Sequence, residues 1–394
     1  MPSTPIEWPP PKPEGSPFTA HPQGYWCKKI NGRLHYFGRR YASHDEALAE
    51  YTLYLANPEA YIRGDADGAV VTVFDVCNEY AHARKAAFNR GEIASTTYED
   101  YRRSATKLTE WLGKTTFVAM LGPSHFRELL DKAAAQGWGP TRRAKFVGHV
   151  RSIFAWAGPD GMRLCGRISF GPDFKPPSAK LRRRARRERP KKLFAAAQIR
   201  KLLNLANPQL EAMILLGING GFGNTDCSSL PHNVIDYRRR LIEWPRPKTE
   251  IERVVPLWPR TITAIKAVME NRRRPLDPDD DRLVFLTATG RPWVKKRIYD
   301  VGDETKVSFN DAVAAEFRKL LNRAKLHQDG LGFYTLRHTF ETRAGEAKDP
   351  IAVSRIMGHE ITGTRAHYIE EVSLKRLRAV TRCVHRWLFG SDPK

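Results

Sequence analysis

The most informative part of the sequence is a group of three short polar motifs near its C-terminal end: YTLRHTF at 334–340, IMGHE at 356–360 and AHYI at 366–369. Each polar residue has an ordinary structural explanation when it is taken alone. Tyr368 is compatible with a half-buried helix tyrosine, and Arg337 with the partner of an acidic side chain. His359 follows Gly358, which is typical of the end of a helix.

A fourth motif lies upstream, where PRPKT at 245–249 separates two strand-like stretches and is expected to occupy a hairpin. Around it, hydrophobic periodicity predicts a mixed domain of helices and a small antiparallel sheet. The predicted strands lie at 234–236, 241–244, 254–257 and 283–286. The predicted helices lie at 195–218, 259–273, 308–326, 335–346, 350–357 and 373–388.

Together, the motifs resemble the active-site pattern of the tyrosine recombinase (phage integrase) family. That pattern runs Arg…Lys…His-x-x-Arg…Gly-His…Tyr, and Lys248, Arg337, Gly358 with His359, and Tyr368 match it in order, with family-like intervals. The resemblance covers about half of the chain. It implies a site-specific DNA recombinase or integrase that cuts and rejoins DNA through a 3′-phosphotyrosine intermediate, without a metal, ATP or another cofactor.

The resemblance also implies a role for each matching residue. Tyr368 attacks phosphorus and holds the DNA covalently. Arg337 donates a fork of hydrogen bonds to the nonbridging phosphate oxygens. Lys248, on its hairpin, protonates the leaving 5′ oxygen, and His359 accepts the tyrosine proton or donates to the phosphate. Tyr334 takes the place of the pattern's first histidine, where it still donates one hydrogen bond.

The sequence departs from the pattern at its first arginine. GFGNTD at 221–226 aligns with the family's Gly-Leu-Arg-x-x-Glu, so that Gly223 stands where arginine is expected and Asp226 keeps the acid. Arg246 or Arg253 is a candidate substitute, and Asn224 and the glycine amides are candidate neutral donors. Two alternatives stay open: a catalytically impaired DNA-binding relative that has lost the first arginine, and a type IB topoisomerase, which shares the chemistry but relaxes DNA without exchanging partners.

Composition points to the same class of partner. The chain has 394 residues, with 66 Lys and Arg against 43 Asp and Glu, which gives a formal net charge of +23. Such an excess favours a polyanion, above all nucleic acid. A phosphate-binding GxxxxGK[ST] loop and an HExxH zinc motif are both missing from the sequence, and its five cysteines are scattered. We therefore expect a reducing compartment and no metal site. Because no run approaches 18 consecutive apolar residues, we also expect no membrane span.

The chain divides into five predicted segments. A flexible Pro-rich tail (1–24) precedes a small sheet-and-helix unit (25–66), which is similar to the arm-binding domain of some integrases. A helical core-binding, SAM-like domain (67–163), a basic linker (164–192) and the tyrosine recombinase catalytic domain (193–394) follow. The predicted fold is therefore multidomain and mainly α, with small antiparallel sheets.

Basic residues outside the catalytic motifs are candidates for contact with double-stranded DNA, because Lys and Arg neutralise phosphates. They are Lys28, Lys29 and Arg33 around the predicted hairpin, Arg142, Arg143 and Lys145 on a helix, and Arg182, Arg183, Arg184, Arg186 and Arg187 in the linker. The resemblance further implies a homotetramer on synapsed DNA, possible accessory DNA-bending proteins, and action in the cytoplasm at the nucleoid.

Overall fold

The computed structural model describes residue 8 and residues 11–22, 24–30, 33–38, 42–56, 71–188, 190–301, 304–360 and 371–392. Two compact units divide the chain, Met1–Arg189 and Pro190–Lys394. The division falls inside the stretch that the sequence predicts to be a basic linker. Among the described residues, no helix has both the length and the apolar character needed to cross a membrane.

A small antiparallel sheet with one helix begins the first unit. Its elements are β1 (Thr19–His21), β2 (Tyr25–Ile30), β3 (Arg33–Phe37) and α1 (His44–Ala56). Strands β2 and β3 pair from Ile30 with Arg33 to Trp26 with Phe37, where the sequence predicts a hairpin around Lys28, Lys29 and Arg33. Strand β1 lies in the stretch predicted to be a tail. It is ordered because Phe18, just before it, is fully buried beside Trp26 and Phe37.

Helices make up the rest of the first unit: α2 (Val73–Asn89), α3 (Ser95–Leu112), α4 (Pro123–Ala135), α5 (Pro140–Ala157) and α6 (Ala179–Arg187). The first four lie in the stretch predicted to be a helical domain (67–163) and share one apolar core. Chain expected in the linker also belongs to this core. Phe174 is fully buried and Cys165 nearly so, and Arg151 Nη2 donates to the Phe174 carbonyl at 2.6 Å.

The second unit contains eight helices and five strands among its described residues. The helices are α7 (Ala196–Leu205), α8 (Pro208–Gly220), α9 (Asn224–Ser228), α10 (Pro259–Glu270), α11 (Ala312–Arg323), α12 (Thr335–Ala344), α13 (Pro350–Met357) and α14 (Leu374–Phe389). The strands are β4 (Ile235–Asp236), β5 (Leu241–Glu243), β6 (Val254–Pro256), β7 (Val294–Val301) and β8 (Glu304–Asp311). Strands β4–β5–β6 form one antiparallel sheet and β7–β8 a separate hairpin.

Helix α8 lies at the centre of this unit, because almost all of its residues are buried. Its one buried polar side chain, Asn219, connects it to the sheet and to α10. The amide nitrogen of Asn219 donates to the Pro256 carbonyl at 2.9 Å, and its oxygen accepts from the Trp258 N–H and the Thr261 hydroxyl. These bonds satisfy a buried polar group, and they fix the end of α8 that leads into the candidate site.

Three predicted elements of the second unit were wrong in detail. The single helix 195–218 is two helices, because Asn207 caps α8 and Pro208 occupies its first turn. Residues 283–286 form isolated bridges to Pro231 and Pro292 and not a strand. The helix predicted at 308–326 begins only at Ala312, because the residues before it belong to β8.

Candidate active site

Arg337, on the first turn of α12, is the centre of the candidate site. Its side chain is buried, with 2% exposure. Nη1 donates to the Gly221 carbonyl at 2.5 Å, and Nη2 donates to the Met357 carbonyl at 2.9 Å. Nη2 also lies 2.7 Å from Nε2 of His359. Carbonyl groups at the ends of α8 and α13 thus both accept hydrogen bonds from one guanidinium.

His359 reaches this position because α13 ends in a left-handed turn at Gly358, whose φ is 62°. A Cβ at Gly358 would stand 2.8 Å from the Cβ of Arg246, so the turn and the close contact both require glycine. Burial lowers the pKa of His359 below its ordinary 6.5, and the charge of Arg337 lowers it further. At neutral pH this imidazole is therefore uncharged and able to accept a proton.

One carboxylate faces three guanidinium groups in this site. Asp226 Oδ1 lies 3.9 Å from Arg246 Nε, and Oδ2 lies 3.8 Å from Arg253 Nη1 and 4.0 Å from Arg337 Nη1. All four side chains are almost fully buried. Three positive charges and one negative charge leave an excess of two, which suits an anionic ligand because a low-dielectric site strengthens the attraction.

Arg253 is the most enclosed of the three. None of its three side-chain nitrogens has a hydrogen-bond partner in the described part of the chain. Its guanidinium lies 4.0 Å from the centre of the Phe222 ring. Burial lowers the pKa of Arg253 to about 10, against the opposing effect of Asp226. Arg253 therefore contributes positive charge to the site, but its buried nitrogens are not accessible to a ligand.

Gly223, at the position where the family pattern has arginine, caps the short helix α9 in an extended conformation. A Cβ added there would lie 3.1 Å from the ring of Tyr334. Tyr334 itself is 44% exposed and packs its ring edge-on against His338. Tyr334 therefore borders the space that a side chain at position 223 would enter.

The hairpin that carries Lys248 contacts the same site. Beyond strands β5 and β6, Trp244 N–H bonds to the Arg253 carbonyl and Arg246 N–H to the Ile251 carbonyl, which extends the ladder. At the tip, the Thr249 hydroxyl donates to the Gly358 carbonyl at 3.2 Å. Lys248 is exposed. The predicted nucleophile Tyr368 lies outside the described residues.

The predicted DNA-contacting residues lie in the first unit. Lys29 and the five linker arginines, which all lie on α6, are exposed, and α6 has no buried residue. Lys28 bonds to the Tyr51 hydroxyl at 2.5 Å, and the side chain of Arg33 lies outside the described residues. Arg142 and Lys145 line a cleft of about 510 Å³, whereas Arg143 is half-buried, with an Nε that has no partner among the described residues.

Within the described ranges, no three His, Cys, Asp or Glu side chains come together as a metal site requires. Of the residues that the sequence motifs predicted, the structure brings together Arg337, His359 and Tyr334. The hairpin that carries Lys248 lies beside them. What sequence reasoning did not find is the arrangement of Asp226 among three arginines. The alternation of proline and basic residues at 245–248 was the available signal, but it does not show which side chain turns inward.

Comparison with known proteins shows which family the second unit is similar to. Residues 192–373 match the model of the phage integrase family. Tyrosine recombinase XerD of Brucella melitensis is 26% identical over 296 residues, which is 71% of this chain and 88% of that protein. XerD of Brucella suis is 25% identical over 300 residues, again 71% and 88% of the two chains.

Solved structures agree on the fold. The Tn1549 transposon integrase in complex with a circular intermediate DNA has a TM-score of 0.52 and 18% identity, covering 77% of this chain and 98% of that one. A lambda integrase dimer bound to a COC′ core site has a TM-score of 0.51 and 12% identity, covering 91% and 97%. Residues 192–373, in the second unit, are thus similar to the phage integrase family. Over 71% of its length the chain is similar to tyrosine recombinases.

Proposed function

We propose that this protein is a site-specific DNA recombinase of the integrase type that cuts and rejoins double-stranded DNA through a phosphotyrosine. The observation that carries the proposal is the pair formed by Arg337 and His359, 2.7 Å apart within a buried cluster of excess positive charge. A backbone phosphodiester is anionic, so a nucleophile can approach its phosphorus only where preorganised donors offset that charge.

In the proposed reaction, the Tyr368 oxygen forms a bond to phosphorus and the bond to the 5′ oxygen breaks. Among the described residues, three of the five N–H groups of Arg337 are used on protein atoms, which leaves two for phosphate oxygens. When the guanidinium of Arg337 turns toward phosphate, its contact with His359 breaks, and Nε2 of His359 becomes free to accept the tyrosine proton. Lys248 supplies a proton to the leaving oxygen. The phosphotyrosine retains the energy of the broken bond, so rejoining requires no ATP.

The first unit would supply binding to DNA. Its exposed arginines on α6 and the basic cleft beside α5 suit a phosphate backbone, because each neutralised phosphate releases counterions. A lambda integrase tetramer bound to a Holliday junction shares the fold, with a TM-score of 0.52 and 13% identity over 92% of this chain and all of that one. We extend this to a tetramer on synapsed DNA in the cytoplasm, assisted by DNA-bending proteins where the DNA must be curved.

A covalent trapping experiment tests the proposal. The purified full chain is incubated with a pool of nicked suicide duplexes that have a randomised core, so that knowledge of the target is not required. We expect a denaturant-resistant protein–DNA adduct from the native chain and none from Tyr368→Phe, which removes only the attacking oxygen. Tyr299→Phe, at an exposed tyrosine, is the matched control and should form the adduct normally.

The second candidate function is a DNA-binding relative without strand cleavage, and Gly223 favours it. The pattern's first arginine is missing there, and loss of one charge-assisted hydrogen bond slows chemistry by about 10- to 100-fold. The same duplex pool separates the two functions. Retention of duplexes by the native chain with no adduct would establish the binding protein and exclude the recombinase.

A further inference from the structure

The site raises the question of which group replaces the arginine missing at position 223. The neutral donors nearby are already engaged: the Gly223 N–H donates to Asp226 Oδ2 at 2.7 Å, and the Asn224 side chain donates to Asp311 Oδ2 at 2.8 Å. Arg253 has all three nitrogens enclosed. Of the groups that the sequence suggests as substitutes, Arg246 is the one that remains.

The position of Arg246 is set by its neighbours. Its aliphatic stem packs against Gly358, whose added Cβ would lie 2.8 Å from Cβ and 3.3 Å from Cδ of Arg246. Its Nε is buried and lacks a hydrogen-bond partner in the described residues. That Nε lies 3.9 Å from Asp226 Oδ1, whereas Arg337 faces the other oxygen of the same carboxylate at 4.0 Å. The two arginines therefore flank Asp226 on opposite oxygens.

Resting on the proposed function, we propose that Arg246 is a catalytic residue that contacts the nonbridging oxygens of the scissile phosphate beside Arg337, in place of the arginine absent at position 223. The charges support this role. Arg246, Arg253 and Arg337 exceed Asp226 by two positive charges. A phosphodiester has one negative charge, and attack by a deprotonated tyrosine brings a second, so the buried excess equals the charge of the transition state.

A competing explanation is that Arg246 serves only as an ion-pair partner of Asp226. The two roles predict different effects of an arginine introduced at position 223. Gly223 has an ordinary extended backbone, and the Tyr334 ring that a side chain there would meet is 44% exposed and has room to move. An arginine at position 223 would therefore supply a phosphate donor from the other side of Asp226 without rebuilding the contact to Gly358.

The experiment measures single-turnover adduct formation on the nicked duplex pool. The variants are Arg246→Gln, Arg246→Lys, and Arg246→Gln combined with Gly223→Arg. The control is Arg239→Gln, an exposed arginine at the other end of strand β5. We expect Arg246→Gln to slow adduct formation by about 10- to 100-fold with duplex binding retained. Arg246→Lys should be intermediate, because it keeps charge without the fork, and Gly223→Arg should restore part of the lost rate.

A rate for Arg246→Gln equal to that of Arg239→Gln, or no gain from Gly223→Arg in the folded double variant, would overturn the proposal. If the native chain itself formed no adduct, the proposed function would fail first, and the outcomes are thus distinguishable. A second readout needs no catalysis. Because the charge of Arg246 helps to lower the pKa of His359, an NMR titration of His359 should show a higher pKa in Arg246→Gln. An unchanged pKa of His359 would mean that the charge of Arg246 does not act at the site, and it would refute the proposed role of Arg246.

Discussion

Nη2 of Arg337 lies 2.7 Å from Nε2 of His359. A guanidinium can only donate, so this ring nitrogen is the acceptor, and the proton of the neutral imidazole is on Nδ1. Nδ1 lies 4.0 Å from a carboxylate oxygen of Glu341. His359 is therefore held between a cation that opposes its protonation and an anion that favours it.

This relationship predicts the acid side of the pH–rate profile. His359 acts while uncharged, and burial followed by the charge of Arg337 lowers its pKa below 6.5. Adduct formation should therefore persist at pH 6.5 and decline only at lower pH, as His359 becomes protonated. Glu341→Gln removes the group that raises this pKa, so the decline should shift to still lower pH. A single-turnover pH series measures both midpoints.

Glu316→Gln provides the control, because Glu316 pairs with Lys319 on the surface of α11. It should leave the profile of the native chain unchanged. A native midpoint above pH 6.5, or an upward shift in Glu341→Gln, would contradict the assignment of the acid limb to His359.

A second prediction concerns Gly358, whose left-handed φ of 62° orients His359. Gly358→Ala places a Cβ 2.8 Å from Arg246 and strains the backbone by about 1–2 kcal/mol. We expect faster amide hydrogen exchange in α13 together with slower adduct formation. Gly345→Ala is the matched control, because Gly345 is helical and its Cβ would meet nothing within 4 Å. Equal exchange in the two variants would show that the turn tolerates a side chain.

The sequence predicted most helices of both units because their apolar spacing and capping residues are local signals. The predicted helix 350–357 coincides with α13, where the Asp349 side chain caps the helix by accepting from the Ala352 N–H. The split between α7 and α8 was also visible as Asn207-Pro208, but the continuous apolar pattern outweighed it. Hairpin β7–β8 was not predicted, although a Gly-Asp pair at 302–303 between alternating stretches is a hairpin signal.

In the candidate site, too, local sequence signals predicted some features and long-range packing determined the others. Motif spacing predicted Arg337, His359 and Lys248 as site residues, since these residues follow a fixed order along the chain. The cluster around Asp226 depends on long-range packing: Arg246 lies in it on a hairpin whose tip is bound through Thr249 to the Gly358 carbonyl. No pattern within the hairpin determines whether Arg246 or Lys248 faces inward, so that choice required the structure.

A third prediction concerns helix α6. Changing Arg182, Arg183, Arg184, Arg186 and Arg187 to Ala should lower the log–log salt slope of duplex binding by about two to four units, because each real phosphate contact contributes about −0.9. The fold should be unaffected, since α6 has no buried residue and alanine favours helix. Anisotropy titrations at several salt concentrations provide the slope.

Affinity should fall alike for unrelated duplexes, because phosphate contacts contain no base information. A changed sequence preference with the original slope would mean that α6 contacts base edges. An unchanged slope and preference would make α6 a solvated spacer.

The fourth prediction distinguishes the role of Lys248 as general acid from the role of Arg337 as a hydrogen-bond donor to phosphate. Lys248 is exposed at the tip of its hairpin, so Lys248→Ala should leave the fold intact and slow cleavage by removing the proton for the leaving 5′ oxygen. A duplex in which sulfur replaces that oxygen has a leaving group that needs no proton. We therefore expect the sulfur duplex to restore most of the cleavage rate of Lys248→Ala.

Arg337→Lys is the matched control on the same two duplexes. It keeps the charge but loses the fork that binds nonbridging oxygens, and a better leaving group cannot supply that contact, so cleavage should stay slow with oxygen and with sulfur. If sulfur rescued both variants equally, the effect would belong to the DNA and not to Lys248. If it rescued neither, Lys248 would act by positioning the phosphate, and the proton would have to come from another group at the site.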